Sequence, residues 1–209
     1  MPISWDIEVF SEINSTQDVC KARAMEGGAE GSVIQALSQT QGKGRHGREW
    51  VSAAGNLAFS FILRPHCDVS HIGQLSILVG VALAKTIGAK AQLKWPNDIL
   101  VEGQKCAGIL IDSDLSGQII NWLVVGLGVN TSSAPEGAYA LQEERDQFLQ
   151  DVLAQISELY EDYKRNGFED IRQYWLHHSF EKGTPLNVGA FEDLDDFGNL
   201  VVRDAQNQL

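Results

Sequence analysis

Ile72-Gly-Gln-Leu-Ser-Ile-Leu-Val-Gly-Val-Ala-Leu-Ala-Lys-Thr-Ile87 has apolar residues nearly all round, with Leu75, Ile77, Leu78, Val79, Val81, Leu83 and Ile87 leaving no broad polar face. A helix of that kind is buried on most of its surface, and the runs on either side of it indicate a sheet. Ser32 to Leu37 and Asn56 to Leu63 lie upstream; Gln92 to Val101, Lys105 to Ile111 and Ile119 to Val129 lie downstream. All are short and rich in Val, Ile, Leu or Phe, as strands are. The tight turn Glu102-Gly103-Gln104 joins two of them, which makes the sheet at least partly antiparallel. The predicted fold class is α+β: a mixed, mostly antiparallel sheet packed on helices.

Further out, a first strand leads to Ser15-Thr16-Gln17-Asp18, which reads as the cap of a short helix carrying Val19, Ala22 and Met25 and stopped by Gly27-Gly28. Beyond Asn130, Leu149, Val152, Leu153, Ile156, Leu159, Tyr160 and Tyr163 follow the spacing of a long amphipathic helix. A second helix around Phe168 to Phe180 ends at a Gly183-Thr-Pro break. Leu186 to Val188 and Leu200 to Val202 then read as two short strands, too few for an independent core. The expected division is a main domain over residues 1–180 and a small β domain over 181–209. No internal repeat or low-complexity tract interrupts this plan.

The 209 residues, 44% hydrophobic and 21% charged, suffice for one buried core. A net charge of −12 with a pI near 4.7 argues against nucleic acid as a partner, since phosphate backbones are met with a basic surface. Cys20, Cys67 and Cys106 are too few and too scattered for a disulfide framework or a paired-ligand zinc site. The first residues lack a basic stretch followed by an apolar one, and no uninterrupted apolar run reaches spanning length. These readings place the chain in the cytoplasm, away from any membrane.

Three stretches carry unusual chemistry. Gly42-Lys-Gly-Arg-His-Gly-Arg48 gathers three cations and a histidine among three glycines in an acidic protein. Glycines let a backbone approach a ligand, and Lys and Arg donate to carboxylate and phosphate oxygens; the plainer reading is a mobile loop with solvated charges. The same residues spell Gly-x-Gly-x-x-Gly, yet neither an apolar helix nor a correctly placed acidic residue follows, which rules out a dinucleotide fold. Lys94-Trp-Pro-Asn-Asp98 puts a proline and two polar residues in the middle of an apolar run, so the strand bulges or ends there. Lys94 could stabilise charge on a carboxylate attacking phosphate, or merely pair with Asp98 at a sheet edge. Gly108, and Gly126 with Gly128 before Asn130, put small residues on a sheet face, either for a ligand or to relieve crowding.

Taken in order, Ser15-Thr16, Gln39 with the Gly42 to Arg48 loop, Lys94-Trp-Pro-Asn-Asp98, Lys105-x-Ala-Gly108 and Gly126-x-Gly-x-Asn130 resemble the catalytic domain of biotin protein ligases over Ile13 to Asn130, and more loosely to Phe180. The resemblance implies a class II synthetase-like fold with a C-terminal SH3-like β tail, here expected to be short and incomplete. It implies adenylation of biotin by ATP with Mg2+, then transfer to a lysine of a biotin carboxyl carrier protein, with no tightly bound cofactor and no metal ligands from the chain. Ser15, Thr16, Gln17 and Gln39 would surround the biotin ring, with Lys43, Gly44, Arg45, Lys94, Gly108 and Gly126 completing that site. Gly42, Lys43, Arg45, Arg48, Lys94, Asn97, Lys105, Gly128 and Asn130 would hold ATP or the adenylate. Lys94 and Arg45 are the expected catalytic residues, bringing two anions together.

No protein nucleophile is required, so His46, His71, His177 and His178 can be structural. The chain departs from the family pattern at His46 and Glu49, where basic residues are common. It enters the catalytic domain within about a dozen residues, which argues against a repressor role. A homodimer is admitted, and sequence does not fix the oligomeric state. Two alternatives stand beside this reading: lipoate or octanoate transfer on the same fold, and a biotin-binding module without catalysis.

Overall fold

The computed structural model describes residues 2–204. Seven strands form the main sheet: β1 (Asp6–Phe10), β2 (Ser32–Ala36), β3 (Leu57–Leu63), β4 (Ala91–Lys94), β5 (Asp98–Val101), β6 (Gln104–Ser116) and β7 (Ile119–Val129). Their order is β1-β2-β3-β7-β6-β5-β4. Only β1 and β2 run parallel; every other neighbouring pair is antiparallel. The run from Gln92 to Val101, read as one strand, is a hairpin of β4 and β5. Pro96 lacks a ladder donor and sits in the turn between them. The Glu102-Gly103 turn joins β5 to β6 with both residues at positive φ.

Side chains alternate across a strand, and the two faces have different coverings. Phe59, Phe61, Leu63, Leu123, Val125 and Leu127 point toward α2 (Ile72–Ile87), which lies with α3 (Arg145–Asn166) and α4 (Glu169–His177) in one continuous core. The stretch Val69–Ile87 has the length and composition to cross a membrane. Here α2 is instead the central core helix, with Leu75 to Ala84 almost entirely buried. The opposite face takes α1 (Thr16–Met25), where Cys20 and Ala24 pack on Ile34, Ile62, Trp122 and Val124. This helix covers only part of that face, and beyond its N-terminus the sheet carries Ser60, Gly108, Gly126 and Gly128.

Three C-terminal strands, β8 (Pro185–Leu186), β9 (Gly189–Leu194) and β10 (Leu200–Arg203), make a small antiparallel sheet, one strand more than the sequence predicts. Phe191 and Leu194 are buried in the main core, with Phe191 edge-on to Trp175 and Phe180. Arg172 donates to the Leu194 carbonyl and pairs with Asp193. The turn after β9 is fastened to the body by Gln74 Nε2, which donates to the Asp196 carbonyl, and by Trp95 Nε1, which donates to the Gly198 carbonyl.

Candidate active site

The inner part of the site begins at the first residue of α1. Ser15 occupies the N-cap position, but its side chain accepts no amide hydrogen bond, which corrects the expectation of a side-chain cap. Its hydroxyl is buried without a partner on the wall of a cavity shared with Thr16, Gln17, Gln39, Ser60 and Gly126. Gln39 Oε1 accepts from the Thr16 amide, doing the work a cap would do, and Gln39 Nε2 donates to Ser52 Oγ. Gly126 is required by close approach: a Cβ there would stand 2.3 Å from Gln17 Oε1. Lys43, Gly44, Arg45, Asn97, Lys105, Gly108 and Gly128 also line this cavity.

The cationic loop is a small ordered hairpin. Trp50 N donates to the Gly42 carbonyl, Gly44 N donates to the Arg48 carbonyl, and the backbones of Lys43 and Glu49 pair across it. A 3-10 turn over Arg45–Gly47 closes it, with His46 and Gly47 at positive φ. Lys43 pairs with Asp18 at 2.5 Å. The hairpin lays the Trp50 indole over the sheet. A Cβ on Gly128 would meet that ring at 2.2 Å, and one on Gly108 at 3.3 Å.

Beyond Trp50 lies a second, outer cavity bordered by Arg48, Val51, Asp98, Asn130, Pro135 and Ala138. Gly44, Arg45, Trp50, Asn97 and Lys105 line both cavities and so mark the passage between them. Each of the two cations there is held. Arg45 donates to Asn97 Oδ1 at 3.0 Å, and Asn97 is itself oriented by donating to the Ile109 carbonyl. Lys105 lies 2.6 Å from Asp98 and 5.5 Å from the Trp50 ring centroid. Asn97 and Asp98 are thus the holders of the cations, one each. Gly42, expected at the nucleotide, borders an open cleft on the outer side of the hairpin together with Lys43, Asp112 and Arg48, which also reaches the outer cavity.

Lys94 is not brought to this passage. It ends edge strand β4, exposed, and borders a small cavity against α2 and Trp175 that Asn97, Asp98 and Ile109 also line. Since β4 pairs with β5 alone, it stands two strands, roughly 10 Å, from β6. Its suggested partner Asp98 is taken by Lys105. Lys94 lines neither cavity, whereas Lys105 lines both beside Arg45. Ser60 and Asp112 carry no signal in the sequence, whereas Trp50 ends a glycine-rich loop with a large ring. Burial pushes the Cys20 and Cys106 thiols up to about 12, so neither is a nucleophile at neutral pH.

A model of the biotin/lipoate A/B protein ligase family matches residues 9–130. The chain is 34% identical over 206 residues to the biotin–[acetyl-CoA-carboxylase] ligase of Paracoccus denitrificans, covering 84% of this chain and 86% of that one. It is 31% identical to the bifunctional ligase/repressor BirA of Bacillus subtilis, covering 91% of this chain and 67% of that protein. Among solved structures, the biotin protein ligase of Aquifex aeolicus in complex with biotin and ATP superposes with a TM-score of 0.79 at 26% identity, covering 97% of this chain and 93% of that one. With the family model spanning more than half of the sequence, the chain belongs to the biotin/lipoate A/B protein ligase family.

Proposed function

We propose that this protein is a biotin protein ligase: it condenses biotin with ATP to biotinyl-5'-AMP and pyrophosphate, then passes the biotinyl group to a lysine of a biotin carboxyl carrier protein. The observation that carries this reading is the pair of cavities joined at Arg45 and Lys105. The inner one is walled by neutral polar groups, including the unpaired Ser15 hydroxyl, and suits a ureido ring with one acceptor and two donors. The outer one, with Asn130 and the Trp50 indole, suits a nucleotide. At the passage, where carboxylate and α-phosphate would meet, two fixed cations offset the charge that builds up as two anions approach. Catalysis is then positioning and electrostatics, and the mixed anhydride is kept from water by the hairpin over residues 42–50.

In this reading the chemistry belongs to the main domain up to residue 180, the strands from residue 185 to 203 form an appended β unit, and the ATP arrives with magnesium as its counter-cation; the end of the predicted small domain, residues 205–209, lies outside the described residues. The free cysteines Cys20, Cys67 and Cys106 fit a reducing cytoplasm. The lipoate or octanoate alternative is disfavoured by the polar inner wall, which an aliphatic or dithiolane tail would leave unpaired.

The test is incubation with ATP, magnesium, biotin and a carrier domain, read by the mass of the carrier. One biotinyl addition is expected. Labelling by lipoate in preference to biotin, or pyrophosphate release that does not depend on biotin, would overturn the reading.

A further inference from the structure

Behind the inner cavity, Asp112, Gln17, Ser60 and Thr16 form a hydrogen-bonded chain whose direction is fixed by its heavy atoms. Gln17 Nε2 lies 3.1 Å from Asp112 Oδ2 and 3.1 Å from the Val124 carbonyl oxygen. Both atoms accept, and the Val124 carbonyl has no proton to donate. Turning the amide over would set its oxygen against two others, so Gln17 Oε1 must face Ser60 Oγ, 3.0 Å away. An amide oxygen cannot donate either, and Ser60 therefore gives it its single proton. The 2.9 Å contact between Thr16 Oγ1 and Ser60 Oγ, undirected by itself, then has Thr16 as donor. Both hydroxyls belong to residues lining the inner cavity, and both are left with lone pairs only.

We propose that Asp112, Gln17 and Ser60 are positioning residues that set the polarity of this wall. They turn Thr16 and Ser60 into an acceptor-only surface that selects a guest presenting ring N–H groups and rejects one presenting oxygen or sulfur lone pairs at the same place. The proposal rests on the biotin reading and supplies its discriminating element. Gln17 then acts through its neighbours, with both ends of its amide already engaged by the protein. Donors for a ring carbonyl come from elsewhere in the cavity: the free Ser15 hydroxyl and the second proton of Gln39 Nε2, whose first goes to Ser52.

The experiment uses calorimetric binding of biotin and of the two oxazolidinone analogues of biotin, each with one ring N–H replaced by oxygen. Wild type should bind biotin and penalise the regioisomer whose oxygen meets Thr16 by roughly 100-fold, the scale of an unpaired buried polar contact. In Ser60→Ala the Thr16 proton is released and can point at that oxygen. Biotin should weaken by about 10-fold while the penalty for this regioisomer falls below about 10-fold, a coupling that only interacting groups show. Gln17→Met frees the Ser60 proton and should relax the same penalty, leaving that of the other regioisomer unchanged. Equal losses for biotin and both analogues in the two variants would reduce Ser60 and Gln17 to packing and overturn the proposal. Wild type binding none of the three ligands sinks the biotin reading beneath it, a result distinct from the other two.

Discussion

The inner wall and the passage are two halves of one site built on opposite electrical plans. Thr16, Gln17 and Ser60 are neutral and nearly sealed from solvent, with the Asp112 carboxyl behind them, and are held by hydrogen bonds whose donors and acceptors are already allotted. At the passage Arg45, Lys105 and Asp98 are charged, with Lys105 exposed at 38% of its side chain and Asp98 at 25%, and each cation is held by one hydrogen-bond acceptor. Buried neutral dipoles discriminate because an unpaired one is costly. Partly exposed charges discriminate little between guests, yet they stabilise charge that appears during reaction. The difference teaches that recognition and chemistry are separable here, and substitutions should show it.

The largest separation is expected from Lys105→Ala. Removing one cation from the passage should lower the rate of adenylate formation by roughly 100- to 1,000-fold while biotin affinity changes little, measured by pyrophosphate release beside calorimetry. Lys94→Ala should stay within about 3-fold of wild type, as exposed positions away from a site do; equal losses in the two variants would return Lys94 to the site. Gly126→Ala should do the reverse. Its Cβ displaces Gln17, which is expected to weaken biotin by on the order of 10- to 100-fold while the rate at saturating biotin is largely kept. Asn97→Ala comes next. Arg45 loses its acceptor, and a misplaced clamp of this kind should release the adenylate about 10-fold faster, seen as stray biotin on bystander proteins; an unchanged off-rate would show that Asn97 does not hold Arg45.

How much of this could be read beforehand depended on whether a signal was local. The all-round apolar pattern of Ile72 to Ile87 gave α2 its bounds, because burial on every side leaves one periodicity. The residues of the inner wall, Ser15, Thr16, Gln39 and Gly126, were legible as a group through the family resemblance. Lys94-Trp-Pro-Asn-Asp98 is conspicuous in sequence, yet Lys94 lines neither of the cavities that Arg45 and Lys105 share. Whether a strand is an edge or a neighbour of the glycine-bearing β7 depends on sheet order, which no local pattern carries. Ser15 shows the same limit on a smaller scale, since Ser-Thr-Gln-Asp looks alike whether the serine caps a helix or Gln39, 23 residues on, takes that duty. The Asp112 to Thr16 relay joins three elements and has no sequence signature.

The smallest expected effect tests how far the passage depends on the C-terminal sheet. The turn over residues 195–199 accepts from Trp95 at its Gly198 carbonyl, one residue before the Pro96-Asn97-Asp98 turn that holds the cations. Asp195 closes that turn. Burial pushes its carboxyl up, but hydrogen bonds from the Asn199 side chain and from the Asn199 and Phe197 amides outweigh this and hold it below the usual carboxylate range. A lowered folded-state value means that the turn is stabilised above the unfolded value, near pH 4, and loses that support as pH falls through the folded one. Asp195→Ala should therefore lower Tm by about 2–4 °C at pH 7, with the difference from wild type vanishing at pH values low enough to protonate Asp195 in the folded protein. At pH 7 its adenylation rate should fall by at most about 3-fold with biotin affinity untouched. A fall in biotin affinity as large as the fall in rate would show that the inner wall also rests on this turn, and that the two halves of the site are less independent than their construction implies.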